Sequence, residues 1–371
     1  MTLSNCPSLS LAWAPAARLL PVAPARVEIG PAVAAHVGEV AAAYGHRALV
    51  ITGRHAWAAV GEEIARHLAD AGVTPRVHMV DPDCTEACAA DALSGLDAES
   101  VVGVGGGKAL DLAKLVANQA GLPCITVPTS AATCAAWTAL GNFYQPTGAF
   151  DFGRSLPHGP AAVLVDTALI ARSPARLLAS GLADTLAKWY ETSASVSYAE
   201  ADMTTRAAWT MAKFLHDEIR LWGVDAVADA RAGRQTAAVD RAIEANICLA
   251  GTVGGLGGER CRSVAAHAVC NALTGMPGNA DSWHGEKVAF GILTQLVLQD
   301  RVLEGQDLAR FFQAIGVPIT LAGLGYHLDE AQLDAVADHV CRPTSTVHHL
   351  PFPVTPARVK AAMKTADALL T

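Results

Sequence analysis

From about residue 26 the chain alternates short β-branched runs with longer amphipathic stretches, a rhythm that predicts a parallel sheet flanked by helices. The predicted strands are 26–29, 48–52, 76–80, 100–104, 124–127 and 162–166. Helical spacing covers 32–43, 57–72, 85–95 and 107–120 between them. Residues 138–153 interrupt the rhythm, and Pro146-Thr147-Gly148 between two aromatic-containing runs predicts a hairpin there.

Past residue 166 the β-branched runs thin out and a 3.6-residue period takes over. It predicts helices near 175–197, 200–221, 226–252, 260–274, 285–300, 328–341 and 355–369. The chain is therefore read as a leader (1–25), an α/β domain (26–173) and a helical domain (174–371), with the boundary at Ser173-Pro174.

Composition narrows the function classes. A chain of 371 residues can bury a large core, and 51% of its residues are hydrophobic while 17% are charged, which argues against a disordered chain. With 27 basic and 35 acidic residues, the net charge of -8 argues against a nucleic-acid partner. No apolar run is long enough to predict a membrane span. Residues 1–25 carry no positive charge ahead of their apolar part and do not read as a signal peptide. Nine cysteines without a Cys-x-x-Cys pair fit a reduced, cytoplasmic chain.

One segment has the chemistry of an anion site. Residues 101–111, Val-Val-Gly-Val-Gly-Gly-Gly-Lys-Ala-Leu-Asp, end a buried strand and open a helix. Bare amide groups at a helix start attract anionic oxygens, and Lys108 adds a charge. The P-loop pattern would need Gly at Val102 and Ser or Thr at Ala109; the Rossmann fingerprint would need Gly at Lys108. On its own the segment also satisfies an ordinary tight strand-to-helix turn. At the end of the second strand, Gly53-Arg54 leaves room for a 2'-phosphate and offers it a guanidinium, although a surface Arg in a plain loop reads the same way.

Of thirteen histidines, His267 and His284 stand apart because both fall in helical, apolar surroundings, where an imidazole needs a partner. The break at 275–279 allows the two to converge. Asp184 also sits in an apolar helix, and a helix N-cap would be an ordinary use for it. Taken together, one carboxylate and two imidazoles leave coordination positions open, as a catalytic Zn(II) or Fe(II) site does.

Gly105 to Lys108, Pro128-Thr129, Gly181 to Glu191, Ala266-His267 and His284 to Lys287 together resemble the glycerol dehydrogenase branch of the iron-containing alcohol dehydrogenase superfamily. The likeness runs from about residue 26 to the C-terminus. Residues 131–138, 181–191 and 342–351 are most similar to the bacterial hydroxycarboxylate dehydrogenases of that branch, which reduce 2-oxo acids.

The resemblance implies an α/β fold of the dehydroquinate synthase-like kind: a Rossmann-like parallel-sheet domain, then an all-helical domain, with NAD(H) or NADP(H) and a divalent metal in the cleft between. Asp184, His267 and His284 match the metal ligands, and Gly106, Gly107 and Lys108 match the pyrophosphate loop, with Asp111 at its end. Thr129, Thr133, Thr138, Leu140 and Tyr144 fall where the family lines its cofactor.

The iron-dependent branch has a histidine one turn after the aspartate; Lys188 here implies a three-ligand site of the zinc type. Glycerol dehydrogenases usually carry Asp where Cys134 stands, and its loss removes a charge that would repel an anion. Lys188 is expected either to pair with a substrate carboxylate or to be solvated or bridge to Glu191. Cys270, where the family often has a second His, reads as helix packing. The implied activity is reduction of small 2-oxo acids, with a polyol dehydrogenase and a sugar-phosphate cyclase as alternatives. The partners expected are a small-molecule substrate and further copies of the chain.

Overall fold

The computed structural model describes residues 20–80, 83–278 and 282–370. Most of the leader, and Asn279 of the expected interhelical break, therefore lie outside the described residues.

Six strands, β1 (Arg26–Gly30), β2 (Arg47–Thr52), β3 (Thr74–Met79), β4 (Ser100–Gly105), β5 (Cys124–Pro128) and β8 (Ala162–Asp166), form one parallel sheet in the order β1-β8-β5-β4-β2-β3. Burial sets that order. Every residue of β4, β5 and β8 is buried, as strands covered on both faces must be, whereas β3, with Pro75 and Arg76, lies at an edge. The expected hairpin forms from β6 (Leu140–Tyr144) and β7 (Phe150–Ser155), paired antiparallel.

Helices cover both faces of the sheet. Val37 and Val40 of α1 (Val37–Ala42) and Val60, Ile64 and Leu68 of α2 (Arg54–Asp70) pack on one side. Cys88, Ala89 and Ala92 of α3 (Glu86–Leu93) pack on the other, with Leu112 and Leu115 of α4 (Gly107–Ala120). The C-terminal ends of β2, β4 and β5 bring Gly53, Gly105 and Thr129 to one rim, where open parallel sheets bind their ligands.

The remainder is helical: α5 (Thr167–Ala171), α6 (Ala175–Ser195), α7 (Met203–Arg231), α8 (Ala237–Glu244), α9 (Ala250–Gly257), α10 (Ala265–Leu273), α11 (His284–Leu298), α12 (Val302–Ala314), α13 (Glu330–Val340) and α14 (Pro356–Asp367). They share one continuous core. Among the described residues no helix is long and apolar enough to cross a membrane.

Two sequence expectations need correction. The break expected between 221 and 226 does not exist: α7 runs unbroken through Gly223, where a side chain would meet the Phe311 ring. The real break comes at Gly233, left-handed at φ 67°, followed by Thr236, whose hydroxyl caps α8. Helix α12 was not expected at all; Leu308, Phe311 and Phe312 give it a buried face. Between α8 and α9 the helix continues as a π-turn over residues 245–249, a local widening often found at functional sites.

Candidate functional site

The two halves of the chain each contribute one part of the site. In the sheet domain, β4 ends at Gly105 with φ 144°, a conformation that excludes a side chain, and α4 begins two residues later. Gly106 caps this helix in an extended conformation. A Cβ there would find nothing closer than 3.9 Å, and one at Gly107 nothing closer than 3.4 Å. The helix start is thus open to a ligand approaching its first N–H groups.

Lys108 is half exposed, pairs with the Asp83 carboxylate and lies 5.3 Å from the centre of the Tyr144 ring. Gly53 caps α2 with no heavy atom within 4 Å of where its Cβ would stand, and Arg54 follows as the first, exposed residue of that helix.

Other residues expected at the cofactor have different partners. The Asp111 carboxylate is buried, 2.9 Å from Lys114 Nζ, and accepts the Asn142 N–H. Lys114, fully buried, also donates to the carbonyls of Thr138 and Leu140, so these two residues hold the hairpin to α4 through their backbone. Thr129 donates its N–H to Gly105, and the Thr133 hydroxyl accepts from Ala135. Tyr144 is half-buried beside Lys108, and burial pushes its phenol pKa up.

In the helical domain Asp184, His267 and His284 come together, with one ligating atom of each within 4.8 Å of the others. Asp184 lies in the middle of α6, 4% exposed, and is not a helix cap. His267 Nε2 stands 3.2 Å and His284 Nε2 3.7 Å from its Oδ1. Donor atoms held by one tetrahedral ion at bond lengths near 2.1 Å are about 3.4 Å apart, so the spacing suits a single cation. Asp184 Oδ1 is also buried without a hydrogen-bond donor among the described residues, as an oxygen reserved for a cation would be.

The surrounding atoms fix this geometry. Glu191, two turns after Asp184 and fully buried, accepts from His267 Nδ1 at 2.7 Å, which turns Nε2 toward Asp184. Its other oxygen accepts the N–H groups of Val264 and His267, while Gln295 of α11 accepts those of Ala265 and Ala266. Two side chains from neighbouring helices thereby satisfy the first turn of α10. His284 opens α11, which Arg176 and Ser180 tie to α6: Arg176 donates twice to Glu286, and Ser180 Oγ accepts from Gly285. Cys270 Sγ lies 3.5 Å from His284 Nδ1, so the residue read as helix packing touches a ring of the cluster.

Glycines allow these helices their approach. A Cβ at Gly285 would fall 1.8 Å from the Ser180 carbonyl oxygen, one at Gly291 2.2 Å from that of Ala266, and one at Gly181 2.0 Å from that of Ala131. Asn246, in the π-turn, accepts from the Thr185 hydroxyl and donates to the Ala131 and Leu178 carbonyls, joining α6 to the 129–138 loop.

Charges around the cluster oppose one another. Burial would raise the Asp184 pKa, but the Lys188 charge and the two imidazoles carry it below the usual carboxylate range. Burial would likewise lower His267, yet the Glu191 charge, the hydrogen bond to Glu191 and the Asp184 carboxylate beside Nε2 bring it up to about 9. Burial dominates at His284 and takes it down to about 4. Lys188, 4% exposed, stands 3.9 Å from Asp184. The expected bridge to Glu191 does not form, because Glu191 is committed to α10.

The role of Glu191 was not anticipated, although its position seven residues after Asp184, on the same helix face, was visible in the sequence.

The profile of iron-containing alcohol dehydrogenases matches residues 24–167. The glycerol dehydrogenase of Pseudomonas putida is 38% identical over 332 residues, 86% of this chain and 89% of that one. The chain belongs to the iron-containing alcohol dehydrogenase family. Within it the chain is glycerol dehydrogenase-like, and membership makes it an oxidoreductase, so the cyclase alternative falls away. Hydroxycarboxylate dehydrogenase A of Escherichia coli is 36% identical over 88% of both chains. A probable glycerol dehydrogenase from Sinorhizobium meliloti has the same fold, with a TM-score of 0.84 at 32% identity over 93% of this chain and 97% of that one.

Proposed function

We propose that this family member is a metal- and NAD(P)(H)-dependent enzyme that reduces small 2-oxo acids to 2-hydroxy acids. The observation that carries the substrate class is Lys188. Its ammonium group is buried beside Asp184 and makes no hydrogen bond among the described residues, leaving three donors for something that enters the site. The neighbouring Cys134, raised by burial and kept a thiol, adds no negative charge to repel an anion.

Asp184, His267 and His284 would hold the divalent ion, for which Zn(II) fits the nitrogen and oxygen donors. When bound, the metal supplies Lewis acidity at the reacting oxygen and the nicotinamide supplies the hydride. Glu191 keeps His267 in the tautomer that faces Asp184. The open start of α4 would hold the pyrophosphate, and Arg54 beside Gly53 favours the 2'-phosphate of NADP(H).

A polyol substrate is the second reading, favoured by the 38% identity to a glycerol dehydrogenase. Metal-analysed protein assayed for 2-oxobutanoate reduction with NADH and NADPH, and for glycerol oxidation with NAD+ and NADP+, separates the two. Oxo-acid reduction is expected to give the higher kcat/KM; a higher value for glycerol would establish the polyol reading instead.

A further inference from the structure

The face of α6 that carries Lys188 has a second chain segment laid along it. Ser195 donates its hydroxyl to the Arg260 carbonyl at 2.8 Å, and Glu191 accepts from the Val264 N–H at 2.7 Å. Residues 188, 191 and 195 are successive turns of one helix face, so residues 260–264 run beside it, and Arg262 emerges from the middle of that run.

The stem of Arg262 is fixed. Its Cγ and Cδ lie 2.8 Å from where a Cβ of Gly254 would be, and one turn earlier on α9 the Trp137 ring occupies the same position over Gly251. The absence of side chains at Gly251 and Gly254 therefore seats an indole and a guanidinium stem side by side.

The charge that acts most on the head of Arg262 is that of Glu259, three residues back along the chain. Arg262 is half-buried, yet among the described residues its guanidinium makes no hydrogen bond and no ion pair within 4 Å. Two residues on from Arg262, the Val264 N–H binds the same Glu191 oxygen as the His267 N–H, and the Arg262 stem packs one turn along α9 from Trp137, in the loop that carries Cys134, so Arg262 leaves the chain between the Lys188 face of α6 and that loop. Lys188 has only the Asp184 carboxylate beside it, 3.9 Å away, so donors on both cations are left for an anion that enters between them.

We propose that Arg262 is a substrate-binding residue that, with Lys188, grips the carboxylate of an anionic substrate beside the metal-ligand cluster. This rests on the oxo-acid reading and deepens it. A carboxylate has two oxygens, and a planar guanidinium with an ammonium can satisfy both while the adjoining carbonyl points to the cluster. Trp137 packs on the same face of α9, one turn from the Arg262 stem, and donates its N–H to the Val22 carbonyl.

The test uses the metal-loaded enzyme with Arg262→Gln, Arg262→Lys and the unaltered protein. Binding of oxamate, a redox-inert 2-oxo acid mimic, is measured by calorimetry with reduced cofactor present, together with KM for 2-oxobutanoate and for the neutral carbonyl hydroxyacetone. Losing one charge-assisted contact is expected to weaken oxamate and raise KM for 2-oxobutanoate by about 10-fold or more in Arg262→Gln. Metal content, the unfolding temperature and KM for hydroxyacetone should stay unchanged, and Arg262→Lys should recover part of the loss.

Equal changes for the acid and the neutral carbonyl, or unchanged oxamate binding, would overturn the role of Arg262. Failure of the oxo-acid reading looks different: the unaltered enzyme would then oxidise glycerol well and turn over no 2-oxo acid, whatever stands at 262.

Discussion

The Glu191 carboxylate meets His267 twice: one oxygen accepts from Nδ1 at 2.7 Å and the other from the backbone N–H of the same residue at 3.0 Å. A single buried group thus sets both where the imidazole starts and which nitrogen it presents to Asp184. Glu191→Gln keeps an acceptor for the backbone but removes the charge that polarises the ring. Metal affinity is expected to fall about 10- to 100-fold, as for other outer partners of ligating histidines. Competition against a chelator of known affinity measures this, and an unchanged affinity would reduce Glu191 to a cap for α10.

Proton and metal compete for His267. With its pKa up at about 9, the metal-free protein carries a proton on this ring at neutral pH, which a divalent ion must displace. Affinity for Zn(II) is therefore expected to rise about tenfold per pH unit between pH 6 and 8, approaching its limit near the histidine pKa. Calorimetry in buffers of different ionisation enthalpy should count about one proton released per ion. Affinity flat across this range, with no proton release, would contradict the coupling of His267 to Glu191.

Lys114 offers a stability test away from the chemistry. It is fully buried, paired with Asp111 and bonded to two hairpin carbonyls, so Lys114→Met would strand a carboxylate and two acceptors inside the sheet domain. A loss of about 3 to 5 kcal/mol in denaturant unfolding is expected. Arg66→Ala, which breaks an exposed pair with Asp70, should change stability by less than about 1 kcal/mol. Similar losses in the two variants would show that the Lys114 network is not what holds the hairpin.

Gly53→Asp tests the choice of nucleotide. The position is extended, caps α2 and has open space where a side chain would go, so aspartate should be accommodated without loss of stability. A carboxylate there suits ribose hydroxyls and repels a 2'-phosphate, shifting preference toward NADH by about tenfold or more. The ratio of kcat/KM for the two reduced cofactors measures it, and an unchanged ratio would remove Arg54 from phosphate recognition.

What could be read from the chain followed the range of the physics involved. Strands such as β4 and β8 declare themselves because a run buried on both faces is apolar at every position. The glycine turn was equally local. Helix α7 was misread because Gly223 looks like a break in sequence, and only the Phe311 ring reveals it as a contact. The proximity of Asp111 to the glycine turn along the chain says nothing of Lys114, which pairs with its carboxylate from one turn further down the same helix. Glu191 was read as a bridge for Lys188 because its actual partner, His267, lies 76 residues away along the chain.

Where Gly285 meets Ser180 and Gly291 meets Ala266, main chain touches main chain, and the distance of α11 from α6 and α10 is dictated by peptide groups rather than by side chains. Apolar residues further out can drift in size over evolutionary time while the span between carboxylate and imidazoles holds its gauge. A methyl group placed at Gly285 or Gly291, by contrast, would spread the helices at a stroke, so tolerance to change in this half of the molecule is divided between forgiving side-chain layers and two sites with no slack.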